Sequence, residues 1–592
     1  MRRYALSVSK RYSLKALTHW KIQRAQRRSA TTIPKEVSLQ EQSTPGNTHE
    51  RHGDKTRVYE SHDPSQATAS PTPSSGLHDV KWTSAGNPTL ADGTASSATT
   101  VRRSVVRNFD SSTAKPFDSL PGPKGIYYLP IIGPLLHFKP FTNHTLKTIH
   151  ELYGDFLKRY GPIVRVNFGK WMVLIEDPDD IGVVFQNEGR YPKRSTADLH
   201  LVYCKRNNIA SGVAAREDED WLLLRRAINV RMMKADAAVK YLAIQNQVAD
   251  DLVSRFTRLE FSPLQLRDEF FKYATESISA LAFNKRLGFL DDDLDSMSKK
   301  TLSLENMRKL FELFNESFYM GYGLYKHFRT PFYKQYEKVT NNVFGLTNSI
   351  LNECLAEIKQ SGKVNANNSF LETMLTQEGI SLEDIRTVII DLFVAGTDST
   401  AKNIQMVLYT LAKNPAHQQR LYEEIKSQIG TSGPLTEDAL SRMQYLKACV
   451  KEAFRVYYPT STGTSRFLAN DIVLRGYKIP KNTLMILCNH KTVKDEKYFH
   501  HPEEFIPERW LRDEHGHRMA PVHPMAMLPF GFGSRSCLGR RFAEQEIYLA
   551  IIKLLQSFEV SLEPGHEEVR LEYTVFISTR EPIHFVFKKR QQ

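Results

Sequence analysis

The chain has 592 residues, of which 41% are hydrophobic, enough for a large folded core. Residues 1–35 hold six arginines, four lysines and no acid, so the net charge of +14 minus these ten leaves +4 for the rest. This uneven distribution excludes nucleic-acid binding as the explanation of the charge. The cysteines (Cys204, Cys354, Cys449, Cys488 and Cys537) form no CxxC pair and no zinc-finger spacing, which disfavours a disulfide framework.

The first 117 residues differ in composition from the rest. Residues 1–35 are rich in arginine and contain RRSA at 27–30, which is typical of a mitochondrial targeting segment with a cleavage region. A basic disordered tail is the alternative. Residues 36–117 are rich in Ser, Thr and Pro, so we expect a disordered linker. The folded domain is expected over 118–592, where no apolar run is long enough to cross a bilayer.

The folded part begins with β-structure and continues with helices. Two apolar runs, 164–168 and 171–177, flank Gly169-Lys170 and predict a β-hairpin. Apolar spacing at i, i+3 and i+4 then predicts helices. These cover residues 218–233, 241–259, 333–360 and 381–414.

The last of these helices is unusually long and has a weak centre. Its middle reads AGTDST at 395–400, and Gly, Asp, Ser and Thr are poor helix formers. We expect the helix to be widened there for a ligand. A solvent-facing Ser/Thr patch is the alternative, and the apolar flanks on both sides disfavour it.

Cys537 stands at the start of a further helix, inside the stretch FGFGSRSCLGRR. Helix N–H groups and nearby arginines favour a thiolate, so a depressed pKa is expected for this cysteine. A thiolate is a nucleophile or a metal ligand. The glycines allow close approach of something large and flat, and Arg535 suits a carboxylate. Together they indicate haem, with iron bound by the thiolate and propionates near cations; a buried structural cysteine is the alternative.

Several motifs of the chain resemble those of the haem-thiolate monooxygenases, the cytochrome P-450 family, over residues 118–590. The family's haem-loop pattern is matched at every position. Its Glu-x-x-Arg motif lies 85 residues before the cysteine, on one helical face. The matching positions are Phe530, Gly533, Arg535, Cys537 and Gly539 in the loop, Glu452 and Arg455 with Arg509 in PERW, Trp221 and Arg225 in the Trp-x-x-x-Arg helix, and Arg466.

The resemblance implies the fold, the cofactor and the roles of these residues. The fold is mainly α with smaller β regions, with haem b between the long central helix and the helix after Cys537. The loop residues Phe530, Gly533 and Gly539 belong to the haem-binding pattern, and Cys537 is the axial iron ligand. Glu452, Arg455 and Arg509 form a buried structural network. The propionate-binding residues are Trp221, Arg225, Arg466 and Arg535.

The resemblance also places oxygen activation on the central helix. Gly396 leaves room for O₂ above the iron, and Asp398 with Ser399 delivers protons. Serine stands where the family usually has threonine; it keeps the hydroxyl but loses the methyl group that restricts the rotamer. Oxygen chemistry should therefore survive, with more uncoupled peroxide.

Two features resemble the mitochondrial branch of the family. One is the targeting-like leader. The other is a basic patch formed by Lys447, Lys451, Arg540 and Arg541, which we expect to dock an acidic two-iron ferredoxin that carries electrons from NADPH; an ordinary solvated face is the alternative. Residues 319–336 mix aromatic and basic side chains. They either contact the matrix side of the inner membrane peripherally or pack as a loop between helices.

The sequence thus predicts a monooxygenase that inserts one oxygen atom from O₂ into a small apolar substrate. Steroids, sterols, hormones and xenobiotics are the classes that the resemblance allows. Two alternatives stay open. One is a non-catalytic haem protein that binds a gas or a lipid. The other is an isomerase of the same fold that needs no reductase, which the Asp398-Ser399 pair disfavours.

Overall fold

The structure, a computed structural model, begins at residue 113. It describes residues 113–591 apart from 130–131, 196–197, 235, 292–293, 320–322, 363, 365–368, 514 and 518–521. The predicted targeting segment and nearly all of the predicted linker lie outside the described residues. Near the start of the described chain, the Lys115 backbone N–H donates to Gly476 O at 2.8 Å.

Helices make up most of the described chain, as the sequence predicts. The α-helices are α1 Ile132–Leu135, α2 Ile149–Tyr160, α3 Pro178–Gln186, α4 Asp198–Arg206, α5 Asp218–Met232, α6 Leu242–Arg258, α7 Pro263–Phe283, α8 Leu294–Tyr319, α9 Pro331–Ser361, α10 Phe370–Leu375, α11 Leu382–Lys413, α12 Pro415–Ile429, α13 Glu437–Arg442, α14 Gln444–Val456, α15 Asn489–Thr492 and α16 Arg540–Ser557. The four long helices predicted from periodicity are confirmed as α5, α6, α9 and α11. Among the described helices none is long and apolar enough to cross a membrane.

Short strands form four small sheets. They are β1 Ile163–Asn167, β2 Trp171–Ile175, β3 Thr464–Phe467, β4 Ile472–Leu474, β5 Tyr477–Ile479, β6 Leu484–Leu487, β7 Phe558–Leu562, β8 Leu571–Thr574, β9 Phe576–Thr579 and β10 Phe585–Lys589. The largest sheet has the order β1-β2-β6-β3, and β4–β5, β8–β9 and β7–β10 pair separately. The antiparallel β1–β2 pairing confirms the predicted hairpin.

The long helix α11 is fixed at both ends by its sequence. Ser381 caps its start, because its hydroxyl accepts from the Asp384 N–H at 3.0 Å while Asp384 Oδ2 accepts from the Ser381 N–H at 3.1 Å. It ends before Asn414-Pro415, since proline cannot continue a helix.

The centre of α11 is continuous α-helix through residues 395–400, and its widening for a ligand stays a prediction. Polar side chains there bond back to their own helix: Ser399 Oγ donates to Ala395 O at 2.7 Å, and Asn403 Nδ2 donates to Ser399 O at 2.7 Å. These bonds keep the side chains inside the helical conformation instead of breaking it. The amino-terminal half of α11 packs in one hydrophobic cluster with α5, α8 and α9, and the carboxyl-terminal half packs in another with α6, α7 and α16.

Candidate active site

A glycine-rich turn presents Cys537 at the start of α16. The Cys537 N–H donates to Phe530 O at 2.8 Å, and the Ser536 N–H donates to Gly533 O at 3.0 Å. Gly533 has a φ of 72°, and a Cβ there would lie 2.9 Å from Glu188 Oε1. The positive φ favours glycine at this position, and a larger residue would also displace the Glu188 carboxylate. Gly539, by contrast, has open space where its Cβ would be.

The Cys537 side chain is exposed, whereas the other four cysteines are buried. The protein that surrounds it raises the pKa of its thiol through desolvation, and the Gly539 N–H and the Arg225 and Arg194 guanidiniums only partly oppose this rise. The predicted depressed pKa is therefore wrong for the protein alone. The desolvation of a thiolate outweighs the local positive charges. Binding to a metal ion would deprotonate the thiol, since the thiolate is the ligand.

One face of α11 is accessible in the middle of an otherwise buried helix. Ala395 is exposed and Gly396 and Ser399 are partly exposed, while Thr397 and Asp398 beside them are buried. The spacing 395, 396, 399 is that of a single helical face. A stripe of this kind at the centre of a buried helix borders internal space.

Four arginines surround the region of the thiol. Arg225, Arg466 and Arg535 come from the predicted set, and Arg194 was not predicted. Burial, together with repulsion from Arg194, Arg466 and Arg225, lowers the pKa of Arg535 to about 9. Burial likewise lowers the pKa of Arg225 to about 10, which Cys537 partly opposes. Positive charge is therefore in excess here, as suits a site for anionic groups.

All four arginines have protein partners, and those of Arg535 and Arg466 engage most of the guanidinium. Arg535 donates to the backbone carbonyls of Pro192, Val213 and Arg216 at 2.9, 3.3 and 2.7 Å, and its guanidinium lies 3.9 Å from the Trp221 ring centroid. Arg466 pairs with the Glu188 carboxylate. Contacts of this kind fix the guanidiniums in place. Their propionate-binding roles stay predictions.

Hydrogen-bond donors that have no protein partner in this site fit the binding of a haem. Trp221 Nε1 and Arg225 Nε are buried and have no hydrogen-bond partner. Arg225 is otherwise held by its bond to Ser536 O at 2.8 Å, beside the thiol. Buried polar atoms in proteins are normally paired, so these donors point to an anionic group that completes the site. An accessible thiol, an excess of arginine and orphaned donors match an iron porphyrin with two carboxylates.

Asp398 is completely buried and is held by a lysine on its own helix. Lys402 Nζ lies 2.8 Å from Asp398 Oδ2 and donates to Thr574 Oγ1 at 2.8 Å, which ties α11 to β8. Asp398 Oδ1 has no partner in the structure. Burial raises the pKa of the Asp398 carboxyl, and Lys402 and Arg308 oppose this.

Gly396 has a role in helix packing. A Cβ on Gly396 would lie 3.0 Å from Cδ1 and Cγ1 of Ile278 in α7. Glycine therefore allows α7 and α11 to approach closely. Its place above the iron stays a prediction, as does the proton-delivery role of Ser399.

The structure brings Glu452, Arg455 and Arg509 together in the core. Arg455 and Arg509 donate to Glu452 Oε1 at 2.8 and 2.9 Å. The Trp510 Nε1–H donates to Glu452 Oε2 at 2.7 Å, a partner that the sequence analysis missed. Both arginines also donate to backbone carbonyls, Arg455 to Pro502 O at 2.6 Å and Arg509 to His500 O at 3.0 Å, so the cluster pins α14 to the segment before the thiol loop.

The predicted docking residues differ in exposure. Lys451, Arg540 and Arg541 are exposed, whereas Lys447 is half-buried and donates to Ser441 O at 2.6 Å. Phe530 lies against Phe454 of α14, with 5.9 Å between ring centroids, and beneath Arg540, 5.4 Å from its guanidinium. These contacts join α14 to the start of α16.

Three residues of the site were missed because only the fold brings them close. Arg194 donates to Ala214 O at 3.0 Å and lies within electrostatic range of Arg466, Asp391 and Cys537. Glu188 and Lys402 are the others. Lys402 alone carried a sequence signal, since it follows Asp398 by one helical turn.

Comparison with known proteins agrees with this geometry. The family model for cytochrome P450 matches residues 123–587. The chain is 30% identical over 473 residues to "Cytochrome P450 27C1" of Danio rerio, covering 78% of this chain and 84% of that protein. It is 30% identical over 496 residues to "Probable cytochrome P450 12d1 proximal, mitochondrial" of Drosophila melanogaster, covering 80% and 91%.

A relative named for its reaction is similarly close. "Sterol 26-hydroxylase, mitochondrial" of Rattus norvegicus is 29% identical over 486 residues, which cover 80% of this chain and 89% of that protein. The family-model match over residues 123–587 spans the thiol loop, the central helix and the arginine cluster together. The chain therefore belongs to the cytochrome P450 family, on its mitochondrial branch, and is an enzyme of the monooxygenase class.

Proposed function

We propose that the protein hydroxylates a small apolar substrate, of the steroid, sterol, hormone or xenobiotic class. NADPH supplies the electrons through a ferredoxin reductase and a two-iron ferredoxin. The observation that carries the proposal is the accessible Cys537 thiol beside the unsatisfied donors of Trp221 and Arg225. The mitochondrial sterol hydroxylase among the relatives supports the substrate class.

Haem b, when bound, supplies O₂ activation and insertion of one oxygen atom into a C–H bond, the other atom leaving as water. The chain's own residues hold and orient it. Cys537 binds the iron as thiolate, and the closed turn from Phe530 fixes the position of its sulfur. Trp221, Arg225, Arg466 and Arg535 hold the propionates.

Asp398 and Ser399 are the residues that we assign to proton delivery. Burial raises the pKa of the Asp398 carboxyl, which Lys402 opposes while it holds Oδ2, and Oδ1 has no protein partner. Ser399 is the next residue and lies on the accessible face of α11, so its hydroxyl would pass a proton from the acid towards that face through water.

Apolar side chains beside this face support an apolar substrate. Ile209, Leu392, Val575 and Phe576 are partly buried and pack against the same cluster as the amino-terminal half of α11. The β8–β9 turn is held in place, because the Ser461 N–H donates to Val575 O at 3.2 Å. These side chains would exclude water from the reacting carbon.

The ferredoxin contact is proposed for the exposed Lys451, Arg540 and Arg541. Lys451 Nζ lies 3.9 Å from the Trp510 ring centroid, a cation–π contact made by a side chain that is exposed at the surface. Lys447 contributes less than predicted, because it is half-buried and bonded to Ser441.

Peripheral contact with the inner mitochondrial membrane is proposed through two apolar surfaces. Within the predicted segment Leu324 and Phe328 are 66% and 67% exposed, whereas Tyr325, Tyr333 and Tyr336 pack inside. A second surface, not predicted, carries exposed apolar side chains near the start of the fold. They are Ile126, Leu129, Ile132, Leu135 and Phe141. Large exposed apolar groups of this kind are suited to a lipid surface.

The function is tested by optical titration of the ferric protein with sterols, steroids, fatty acids and foreign apolar compounds. The compound that gives a saturable high-spin shift is then incubated with NADPH, ferredoxin reductase and ferredoxin. Hydroxylated product supports the proposal. A shift without product under any ferredoxin condition contradicts it.

The docking assignment has its own test. Lys451→Glu should raise the ferredoxin concentration needed for half-maximal turnover, and the difference from wild type should shrink at high salt. Lys481→Glu, an exposed reversal at the β5–β6 connection, is the control. Equal effects of the two variants would remove Lys451 from the docking surface.

A further inference from the structure

Two histidines and a glutamate meet at the surface where β7 ends and β10 begins. One potential ligand atom from each of Glu563, His566 and His584 lies within 4.8 Å of the others. His584 Nδ1 is 2.7 Å from Glu563 Oε2, and the two imidazole rings stack with centroids 3.9 Å apart at 3°. In the described part of the chain no other group of His, Cys, Asp or Glu meets this condition.

The backbone conformation brings these three residues together. The β7–β10 ladder continues one step beyond the Phe585–Leu562 pair, because the Glu563 N–H donates to His584 O at 2.9 Å. The chain then turns at once: the His566 N–H donates to Glu563 O at 3.0 Å. Pro564 at the second position and Gly565, with a φ of 86°, at the third define a type II turn. The turn returns His566 to the side of His584.

We propose that Glu563, His566 and His584 form a binding site for a divalent transition-metal ion of the zinc type. Imidazole nitrogen and carboxylate oxygen are the donors that Zn²⁺ accepts, and a site with three protein ligands keeps water in the fourth position. The partial exposure of all three side chains leaves room for that water. The ion replaces the His584–Glu563 hydrogen bond, and the stacked rings separate to direct their nitrogens at it.

The ion would hold a loop that leads into the active site. Residues 563–570 connect β7 to β8, and the loop is tied to the end of α11 by Tyr409, whose hydroxyl donates to Glu567 O at 2.8 Å, and by the Lys413–Glu568 ion pair at 2.6 Å. The turn after β8 carries Val575 and Phe576 to the substrate side. A metal clamp at 563, 566 and 584 therefore stabilises the support of this turn.

The test is calorimetric titration of ZnCl₂ into the haem-containing full-length chain, without an affinity tag and freed of metal by chelator. The variants His566→Phe and His584→Phe keep a flat ring for stacking but remove the ligand nitrogen. His500→Phe is the matched control, because His500 also pairs with a carboxylate, Glu496 at 2.6 Å, and contacts the His501 ring at 4.0 Å.

Wild type and His500→Phe should bind one Zn²⁺ more than the two site variants do, or bind it at least about tenfold more tightly. Zn²⁺ should also raise their melting temperature and leave that of the site variants unchanged. Equal stoichiometry and affinity in wild type and His566→Phe would overturn the proposal. So would the absence of any saturable binding to wild type, or its loss in His500→Phe alone.

Discussion

Lys402 neutralises a carboxylate that the fold has buried completely. Asp398 is 0% exposed, and its charged partner stands one helical turn later at 2.8 Å. Removing one member of a buried pair leaves an uncompensated charge, which costs more than the pair itself contributes. Lys402 therefore matters for stability as well as for the acid that we propose as a proton carrier.

Lys402→Met should destabilise the protein by about 3 kcal/mol at neutral pH. Loss of the cation raises the pKa of Asp398 further, so part of the stability should return on acidification. Chemical denaturation at two pH values measures both effects. The control is Arg442→Met, whose partner Asp438 is mostly exposed and which should cost no more than about 1 kcal/mol. Equal costs for both variants would contradict the account.

Glu546 on α16 is a second buried carboxyl group. Its pKa lies in a range where the stability of the protein can be measured. Burial raises its pKa from 4.5 to about 8, although Ser277, Thr400 and Gln245 bond to it. Between these two pH values the folded state keeps the proton that the unfolded chain has released. The folded state then binds more protons, so stability falls as pH rises from about 4.5 to 8.

Glu546→Gln should remove this fall, because the amide resembles the protonated acid. The variant should match wild type near pH 5 and exceed it in melting temperature above pH 8. The control is Glu559→Gln, an exposed position in β7, whose pH profile should follow that of wild type. A wild-type profile that stays flat from pH 5 to 8 would contradict the raised pKa.

At the scale of elements, the packing of α7 against α11 depends on the absence of a side chain at Gly396. A Cβ there meets Ile278 at 3.0 Å, so the two positions are coupled. Gly345 in α9 is the control position. It is also a helical glycine, but nothing lies within 4 Å of the place that its Cβ would take.

Gly396→Ala should make Ile278→Val less costly by about 1 kcal/mol than it is in wild type, because valine makes room for the new methyl group. Gly345→Ala should instead stabilise α9 by up to about 1 kcal/mol, and it should leave the cost of Ile278→Val unchanged. A double-mutant cycle measures the coupling. A coupling of zero between 278 and 396 would contradict the close approach of the helices.

The elements could be predicted where local pattern decides structure. The β1–β2 hairpin follows from two apolar runs around Gly169-Lys170, and α11 follows from its periodicity despite the polar residues at its centre. The polar residues at its centre do not break the helix, because their side chains bond back to it. The low pKa expected for Cys537 was wrong, since sequence shows the charges near a thiol but not the protein that desolvates it.

Contacts between distant parts of the chain were beyond the sequence. Lys402 bonds to Thr574, 172 residues away, and Arg466 pairs with Glu188, 278 residues away. Nothing local to Arg466 signals that its guanidinium has a carboxylate partner. The motif positions located the site, and the fold supplied the partners that orient it.

At the scale of the whole molecule, two hydrophobic clusters meet along α11, and the site lies where they meet. Cys537, on the loop before α16, and the accessible face of α11 lie far apart in the sequence. We propose that this thiol binds the iron of a haem held between the two helices.

The most direct test is the spectrum of the reduced protein with carbon monoxide, for wild type, Cys537→Ser and Cys354→Ser. Cys354 is buried in α9 and serves as the control for loss of a thiol. The account predicts a thiolate-type Soret band in wild type and Cys354→Ser and its disappearance in Cys537→Ser. A thiolate-type band that persists in Cys537→Ser would contradict the assignment of the ligand and with it the site.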